Sequence, residues 1–227
     1  MRGLDRTRTV VVDVLGTLVD ERTGLHAEIS FAAPRADGAF VARLATTWQE
    51  HVTDQQQRVV EGRRSYIDAS ALDAEAAALV ASRAGIADPR AVHRLATARR
   101  RLPAWTDTVD ALTRLAHRVT VVALSNAGAA DLDSLRRYAG LRWHHAVSSD
   151  DVRAYKPDPR LYARAVEVAG GRPEDSVMVA AHTWDLRGAQ AAGMRTAYVH
   201  RPGGDPPRPD DVLDAQVGSL AQLVAAL

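Results

Sequence analysis

Short apolar runs recur along this chain and predict a buried β-sheet. The candidate strands are residues 9–12, 119–124, 146–148, 176–181 and 196–199. All but the third are rich in valine or other strand-forming residues and lack a regular alternation with polar positions. Such runs are typical of strands that are buried on both faces of a sheet.

Helical patterns lie between the later strands and predict repeated βα units. Residues 111–117 carry Leu112 and Leu115 at helical spacing, and residues 159–169 carry a similar apolar stripe. Residues 131–140 and 186–193 each end on a glycine, which commonly terminates a helix. Strands and helices that alternate in this way indicate an α/β fold with a parallel sheet.

The segment from residue 20 to 102 has a different pattern, with no convincing buried strand. Its predicted helices span residues 38–57, 73–84 and 89–101. We therefore expect a core domain formed by residues 1–19 and 103–227, with residues 20–102 as a helical insert. Pro34 and Pro103 lie near the edges of this insert, where proline can interrupt regular secondary structure. The first strand would then pair with strands more than one hundred residues later.

The end of the chain is predicted to be a loop followed by one helix. Residues 201–211 contain four prolines and two glycines, a composition typical of a surface loop. Residues 219–227 have an amphipathic pattern that predicts a closing helix.

The composition excludes cysteine chemistry and gives no sign of binding to nucleic acids or membranes. The 227 residues include 29 Lys and Arg against 28 Asp and Glu, a balance that gives no reason to expect nucleic-acid or membrane binding. The absence of cysteine excludes disulfides, thiolate metal sites and a cysteine nucleophile. Residues 1–6 lack the apolar stretch of a signal peptide, and no run approaches the ~20 apolar residues of a membrane span. We therefore expect a soluble, cytoplasmic protein.

Asp13 is the first candidate for chemistry, because it ends the first apolar run and precedes a glycine turn. Ligands of open α/β sheets bind at the carboxyl ends of the strands. An aspartate there can simply cap the following turn, or it can act as a nucleophile or metal ligand. Gly16 and Thr17 favour the functional alternative, because glycine admits a ligand close to the backbone and a threonine hydroxyl can orient a carboxylate.

Other polar residues follow later apolar runs. Ser125 and Asn126 could cap a helix or hold a substrate oxygen, and the residues alone do not separate these alternatives. Lys156 lies in a proline turn that would fix its ammonium group near a carboxylate. Asp185 could cap the next helix or pair with Lys156 and position a water molecule. His182 is expected to form a hydrogen bond and not to bind metal, because no second ligand is suitably spaced from it.

Together these segments resemble the four motifs of the haloacid dehalogenase superfamily. The matching segments are residues 13–18, 124–126, 156–159 and the segment that ends at Asp185. The resemblance implies a Rossmann-like α/β core with a mostly parallel sheet flanked by helices. It also implies that the helical insert after the first strand is a cap domain.

The motifs favour the dehalogenases over the phosphatases of this superfamily. The phosphatases carry a second Asp two positions after the nucleophile and an acid four positions before the last Asp; this chain has Leu15 and Ala181 there. Without these groups it lacks a proton donor for a leaving alcohol and a carboxylate for Mg²⁺. A halide departs as an anion and needs neither.

The closest resemblance is to the L-2-haloacid dehalogenase (type II) branch, with its Leu-Ser-Asn, Tyr-Lys-Pro-Asp and Trp-Asp segments. This resemblance implies hydrolysis of a small 2-haloacid through an aspartyl ester, without metal or cofactor. The implied catalytic residues are Asp13, Thr17, Lys156 and Asp185. The implied substrate-binding residues are Leu15, Gln49, Ser125, Asn126, Tyr162, His182 and Trp184.

Some positions depart from that branch. The dehalogenases carry an aromatic residue at the position of Leu15 and a cap arginine directly after a Trp, whereas Trp48 is followed here by Gln49. A neutral amide cannot supply the charged, bidentate fork that a carboxylate prefers. Nearby arginines could substitute, namely Arg58, Arg63 and Arg64. Action on another small ester or phosphate, or a non-catalytic binding role, stays open as an alternative, and a homodimer is compatible with the apolar cap residues.

Overall fold

The computed structural model describes residues 4–227 and contains a six-stranded, fully parallel sheet in the order β3-β2-β1-β4-β5-β6. Residues 1–3, which belong to the predicted core range and N-terminal segment, lie outside the described residues. The strands are β1 Thr9–Asp13, β2 Thr120–Ser125, β3 His145–Ser148, β4 Ser176–Ala180, β5 Arg195–Val199 and β6 Ala215–Val217. The predicted parallel α/β sheet is therefore confirmed.

Strand β1 lies in the middle of the sheet and is buried along its whole length. Thr9 is paired with Thr120 of β2 on one side and with Ser176 of β4 on the other. The expected pairing of the first strand with strands more than one hundred residues later is confirmed. This arrangement places the carboxyl end of β1 between the carboxyl ends of its two neighbours.

Ten α-helices accompany the strands in the described residues. They are α1 Glu21–Ala32, α2 Gly38–Val60, α3 Ala69–Ala84, α4 Pro89–Ala96, α5 Thr108–Ala116, α6 Ala129–Ala139, α7 Ser149–Val152, α8 Pro159–Val168, α9 Thr183–Ala191 and α10 Leu220–Ala226. None of them is both long enough and apolar enough to cross a membrane.

The helices cover both faces of the sheet because successive strand side chains point to opposite faces. Val10 and Val12 share a hydrophobic cluster with leucines of α5, α6 and α10. Val11 lies in the opposite cluster with Leu161 of α8 and Leu186 of α9. Each valine in the run is thus buried, which explains why the pattern lacks polar alternation.

Among the α-helices and strands, α1, α7 and β6 were not predicted. The helix predicted at residues 89–101 is interrupted: α4 ends at Ala96, and a separate 3₁₀ turn spans Ala98–Arg101. The helix predicted to begin at residue 186 begins at Thr183, so that Asp185 lies inside its first turn and not at its N-cap. Residues 201–211 contain no helix or strand, as expected for a loop.

The helices between β1 and β2 have a hydrophobic cluster of their own. It includes Leu25 and Ile29 of α1, Leu44 and Trp48 of α2, and Leu95 of α4. The division into a core and a cap with a boundary at residues 20–102 stays a prediction, and we use "cap helices" below for α1–α4 with the 3₁₀ turn.

Candidate active site

The candidate catalytic residues meet at the carboxyl edge of the sheet. Asp13 is the last residue of β1 and is paired with Leu124, which immediately precedes Ser125 at the end of β2. Asp185 lies in the first turn of α9, which follows the neighbouring strand β4. These residues are far apart in sequence but adjacent in space because their strands are neighbours.

Lys156 connects the two aspartates. Its Nζ donates hydrogen bonds to Asp13 Oδ1 at 2.7 Å and to Asp185 Oδ2 at 2.5 Å, with a longer contact of 3.3 Å to the carbonyl oxygen of Leu124. Its side chain is only 2% exposed. Burial alone would lower the pKa of this lysine, but the charges of Asp13 and Asp185 outweigh burial and raise it. The lysine therefore stays protonated, with its charge shared between two carboxylates.

Lys156 is also the only lysine in the sequence, and every other basic side chain besides histidine is an arginine. A compact ammonium fits between two carboxylates at this depth, where a planar guanidinium would need more room.

The second oxygen of Asp13 is held by Thr17. The hydroxyl of Thr17 accepts a hydrogen bond from the backbone N–H of Ala181 at 2.9 Å and donates one to Asp13 Oδ2 at 2.6 Å. Because the threonine oxygen already accepts from Ala181, its proton is directed to Asp13. Both carboxylate oxygens of Asp13 thus have fixed donors.

Asp185 is supported from the side opposite Lys156 by Tyr162. The Tyr162 hydroxyl donates to Asp185 Oδ1 at 2.7 Å, and both residues are fully buried. Burial raises the pKa of Asp185, and the Lys156 ammonium opposes that rise. Gly188 makes room for the tyrosine, since a Cβ at this position would lie 2.5 Å from the Tyr162 hydroxyl oxygen.

The turn after β1 is held by residues that the sequence did not single out. Gly16 has a φ of +78°, and a Cβ there would lie 2.8 Å from His182 Nε2. Trp105 Nε1 donates to the carbonyl oxygen of Gly16 at 3.2 Å, and Arg201 Nε donates to that of Thr17 at 3.0 Å. These two bonds add to the backbone hydrogen bond from Leu18 N–H to the carbonyl oxygen of Val14 within the turn.

A cavity of about 460 Å³ opens above Asp13 and Lys156. It is lined by six of the seven predicted substrate-binding residues, namely Leu15, Gln49, Ser125, Asn126, His182 and Trp184. Tyr162 is the exception: it lies behind Asp185 and is not part of the cavity lining, because its hydroxyl is turned to that carboxylate. Thr17 and Asp185 likewise contact catalytic groups from behind.

Asn126 joins the sheet edge to the cap helices. Its Oδ1 accepts a hydrogen bond from the backbone N–H of Lys156 at 2.7 Å, and its Nδ2 donates to Gln56 Oε1 of α2 at 3.1 Å. Ser125 Oγ accepts from the backbone N–H of Ala127 at 3.1 Å, so its hydroxyl proton is available to the cavity. The alternative in which these residues cap the next helix is not seen, because the N-cap of α6 is Gly128.

The three arginines that could have replaced the missing positive charge at position 49 lie outside the Asp13 cavity. Arg58 is paired with Asp54 and Arg63 with Glu61 at exposed positions, and Arg64 is paired with Glu75. None of the three lines the cavity; Arg99, from the 3₁₀ turn, does. Arg99 was not predicted as a cavity residue because it belongs to a run of three arginines, and such runs are typical of a solvated surface.

Potential metal ligands are sparse at this edge of the sheet. Within residues 4–227, no three His, Cys, Asp or Glu side chains are grouped so that they could hold a metal ion. The two aspartates that come closest to forming such a group have the Lys156 ammonium between them.

Known proteins share both the sequence pattern and this fold. The (S)-2-haloacid dehalogenase 4A of Burkholderia cepacia is 29% identical over 225 residues, which cover 97% of this chain and 94% of that protein. A crystal structure of a defluorinating L-2-haloacid dehalogenase matches with a TM-score of 0.89 at 29% identity, over 97% of this chain and 95% of the other. The L-2-haloacid dehalogenase of Xanthobacter autotrophicus with chloropropionic acid covalently bound matches with a TM-score of 0.82 at 26% identity, over 96% and 97% of the two chains.

A family model for haloacid dehalogenase-like hydrolases matches residues 7–193, which is most of the chain. With the parallel sheet and the Asp13–Lys156–Asp185 arrangement at its edge, this match identifies the chain as a member of the haloacid dehalogenase-like hydrolase family.

Proposed function

We propose that this chain hydrolyses the carbon–halogen bond of a small 2-haloacid through a covalent ester on Asp13. The main support is the position of Asp13, whose carboxylate is held between Thr17 and Lys156 at the base of a cavity large enough for such a substrate. The similarity to dehalogenases over nearly the whole chain, including one with chloropropionic acid covalently bound, supports the same reaction class.

In the first step, a carboxylate oxygen of Asp13 attacks the carbon that bears the halogen. A carbon–oxygen bond forms, and the carbon–halogen bond breaks with its electron pair on the departing halide. The carbon is inverted because the nucleophile and the leaving group lie on opposite sides. No proton is needed by the leaving group, which suits a cavity where Leu15 occupies the position of an acid.

In the second step, water attacks the carbonyl carbon of the Asp13 ester. The negative charge that develops on the Asp13 oxygen lies beside the Lys156 ammonium, which can stabilise it electrostatically. One proton of the attacking water passes to the departing oxygen of the substrate and the other to solvent. Collapse of this intermediate then releases the 2-hydroxyacid and returns Asp13 to a carboxylate. Asp185 and Tyr162 hold Lys156 in place from behind and act as positioning residues.

An isotope experiment tests this order of events. In a single turnover in ¹⁸O-water, the hydroxyacid should contain no ¹⁸O, because its new oxygen comes from Asp13. With excess substrate, label should appear in later product molecules, because water oxygen has by then entered the carboxylate. Asp13→Asn should abolish halide release. Label in the first-turnover product would refute attack by Asp13.

The same cavity argues against a phosphatase. Leu15 lines it where a general acid would have to stand, and Ala181 is fully buried with no donor on its side chain. The phosphatases of this superfamily carry an acid that helps bind Mg²⁺ at the position of Ala181. We therefore assign the reaction to a leaving group that departs without protonation.

A further inference from the structure

Arg99 is a deeply buried cation in the wall of the Asp13 cavity. It belongs to the 3₁₀ turn Ala98–Arg101, and only 7% of its side chain is exposed. It reaches the same cavity as Asp13 and Lys156 although it comes from the cap helices and not from the sheet. A guanidinium at such depth needs acceptors for most of its five N–H donors.

The acceptors around Arg99 do not use all of its donors. Glu21 Oε1 lies 3.0 Å from Nε and 2.9 Å from Nη2. Asp73 Oδ1 lies 3.2 Å from Nη1, but the geometry is not that of a hydrogen bond. Among the described residues, both Nη1 of Arg99 and Oδ1 of Asp73 lack a hydrogen-bond partner. A buried charged donor without a hydrogen-bond acceptor is costly, so the protein alone does not fully satisfy the Arg99 guanidinium.

No other charged group in the cavity wall is available to bind a substrate carboxylate. The charged residues that line it are Asp13, Glu21, Arg99 and Lys156. Lys156 is already shared between two carboxylates, and Gln49 is neutral. A substrate carboxylate placed near Asp13 and Glu21 would be repelled unless a cation received it. Arg99 is the lining residue that meets this requirement.

We propose that Arg99 binds the carboxylate of the substrate through its guanidinium group and so selects 2-haloacids over their uncharged analogues. This assignment rests on the proposed function, because it names the group that recognises the acid. Arg99 would supply from the 3₁₀ turn the positive charge that Gln49 lacks on α2. Glu21 would act as a positioning residue that also competes for the same guanidinium.

The electrostatic surroundings of Asp73 support this role. Burial raises the pKa of Asp73 to about 7, although the charge of Arg99 opposes the rise. Glu21 and Asp131 raise it further, and Arg100 lowers it. Near neutral pH part of Asp73 is therefore protonated, so this carboxyl balances the charge of Arg99 only in part. A second carboxylate, supplied by the substrate, can then be accommodated.

The alternative is that Arg99 only ties the cap helices together, since Glu21 belongs to α1 and Asp73 to α3. A structural tie would affect all ligands equally, whereas an anion site distinguishes an acid from its amide. The test therefore compares two ligands that differ in that charge and uses a protein that cannot turn them over.

The experiment measures binding of 2-chloropropionate and 2-chloropropionamide to the Asp13→Asn protein by calorimetry. Adding Arg99→Gln is expected to weaken binding of the acid by about 30-fold or more, because it removes one member of a buried charge pair. The amide should bind with similar affinity before and after this change. Arg101→Gln is the matched control, since Arg101 lies in the same 3₁₀ turn outside the cavity and its partner Glu28 keeps Arg94.

A second variant covers the case in which Arg99→Gln does not fold, as judged by circular dichroism. Glu21→Gln removes the competing charge and keeps an oxygen acceptor, so the acid should bind more tightly while the amide is unaffected. The assignment would be overturned if the Arg99 variant lost affinity equally for acid and amide, or if binding of the acid changed in neither variant. It would also be overturned if the Asp13→Asn protein showed no detectable binding of the acid. Arg99-dependent binding of the acid without halide release by the unsubstituted chain would instead refute the proposed function and leave the anion site standing.

Discussion

Replacement of Lys156 by methionine should destabilise the protein strongly and in a pH-dependent manner. The ammonium lies 2.7 Å from Asp13 and 2.5 Å from Asp185, and each contact is worth about 6 kcal/mol at an effective dielectric constant of about 20. Part of this attraction is offset by the cost of burying the ammonium. Removing one partner of a buried ion pair typically costs about 3–5 kcal/mol, and we expect Lys156→Met to lower the free energy of unfolding by about that amount.

The pH dependence follows from Asp185. Burial already raises the pKa of this carboxyl, and without the ammonium nothing of comparable strength opposes burial. A raised pKa in the folded state stabilises the protonated form, so this contribution is present at low pH and is lost as the pH rises. The deficit of Lys156→Met relative to the parent protein should therefore be larger at pH 8 than at pH 5.

Urea unfolding at the two pH values measures this deficit, with the double variant Lys156→Met/Asp185→Asn as the matched control. The double variant should recover part of the lost stability, because only one uncompensated carboxylate then remains. A deficit below about 1 kcal/mol, or one that is larger at pH 5, would refute the view that the ammonium balances two buried charges.

Three further outcomes are expected. EDTA should leave halide release unchanged, because Ala181 replaces an acid that helps bind Mg²⁺ in phosphatases of this superfamily; loss of activity that Mg²⁺ restores would contradict the dehalogenase assignment. The pKa of Asp73 is raised to about 7, so the parent protein should gain about 2–3 kcal/mol between pH 8 and pH 5 relative to Asp73→Asn in urea unfolding, and a flat difference would argue against a protonated Asp73. Gly188→Ala should lower stability by about 1–3 kcal/mol and also lower kcat, because the added methyl group would displace Tyr162, whereas Gly38→Ala, with open space around it, should lower neither.

Much of the fold follows from local patterns because the central strands are buried on both faces. The valines of β1 alternate between two hydrophobic clusters, so the run needs no polar positions. Strand β6 escaped prediction because it has only three residues and the middle one, Gln216, is exposed. Helix α1 was missed because Gly24 and Glu28 interrupt its apolar stripe. Gly24 lies against Leu102, and Glu28 is buried with arginine partners, which are tertiary contacts that a local pattern does not reveal.

The candidate site, like the fold, has a part that local patterns predict and a part that depends on tertiary contacts. Asp13, Lys156 and Asp185 could be predicted to converge because each follows a strand whose carboxyl end faces the same edge of the sheet. The contribution of the cap helices could not be predicted, because it depends on how they pack over that edge. In the run of three arginines, Arg99 is buried while Arg100 is partly exposed, and only the 3₁₀ turn determines which of them faces the cavity.

The solitary lysine of this chain makes its ammonium unusually easy to observe. Growth with lysine labelled with ¹⁵N at Nζ would place a single side-chain resonance in a nuclear magnetic resonance spectrum, and that resonance would come from Lys156. Since this Nζ contacts both aspartates, its chemical shift would report on the charge of each of them as a reaction proceeds. Reagents that acylate accessible amines would meanwhile find no lysine on the protein surface, because this one is 95% enclosed.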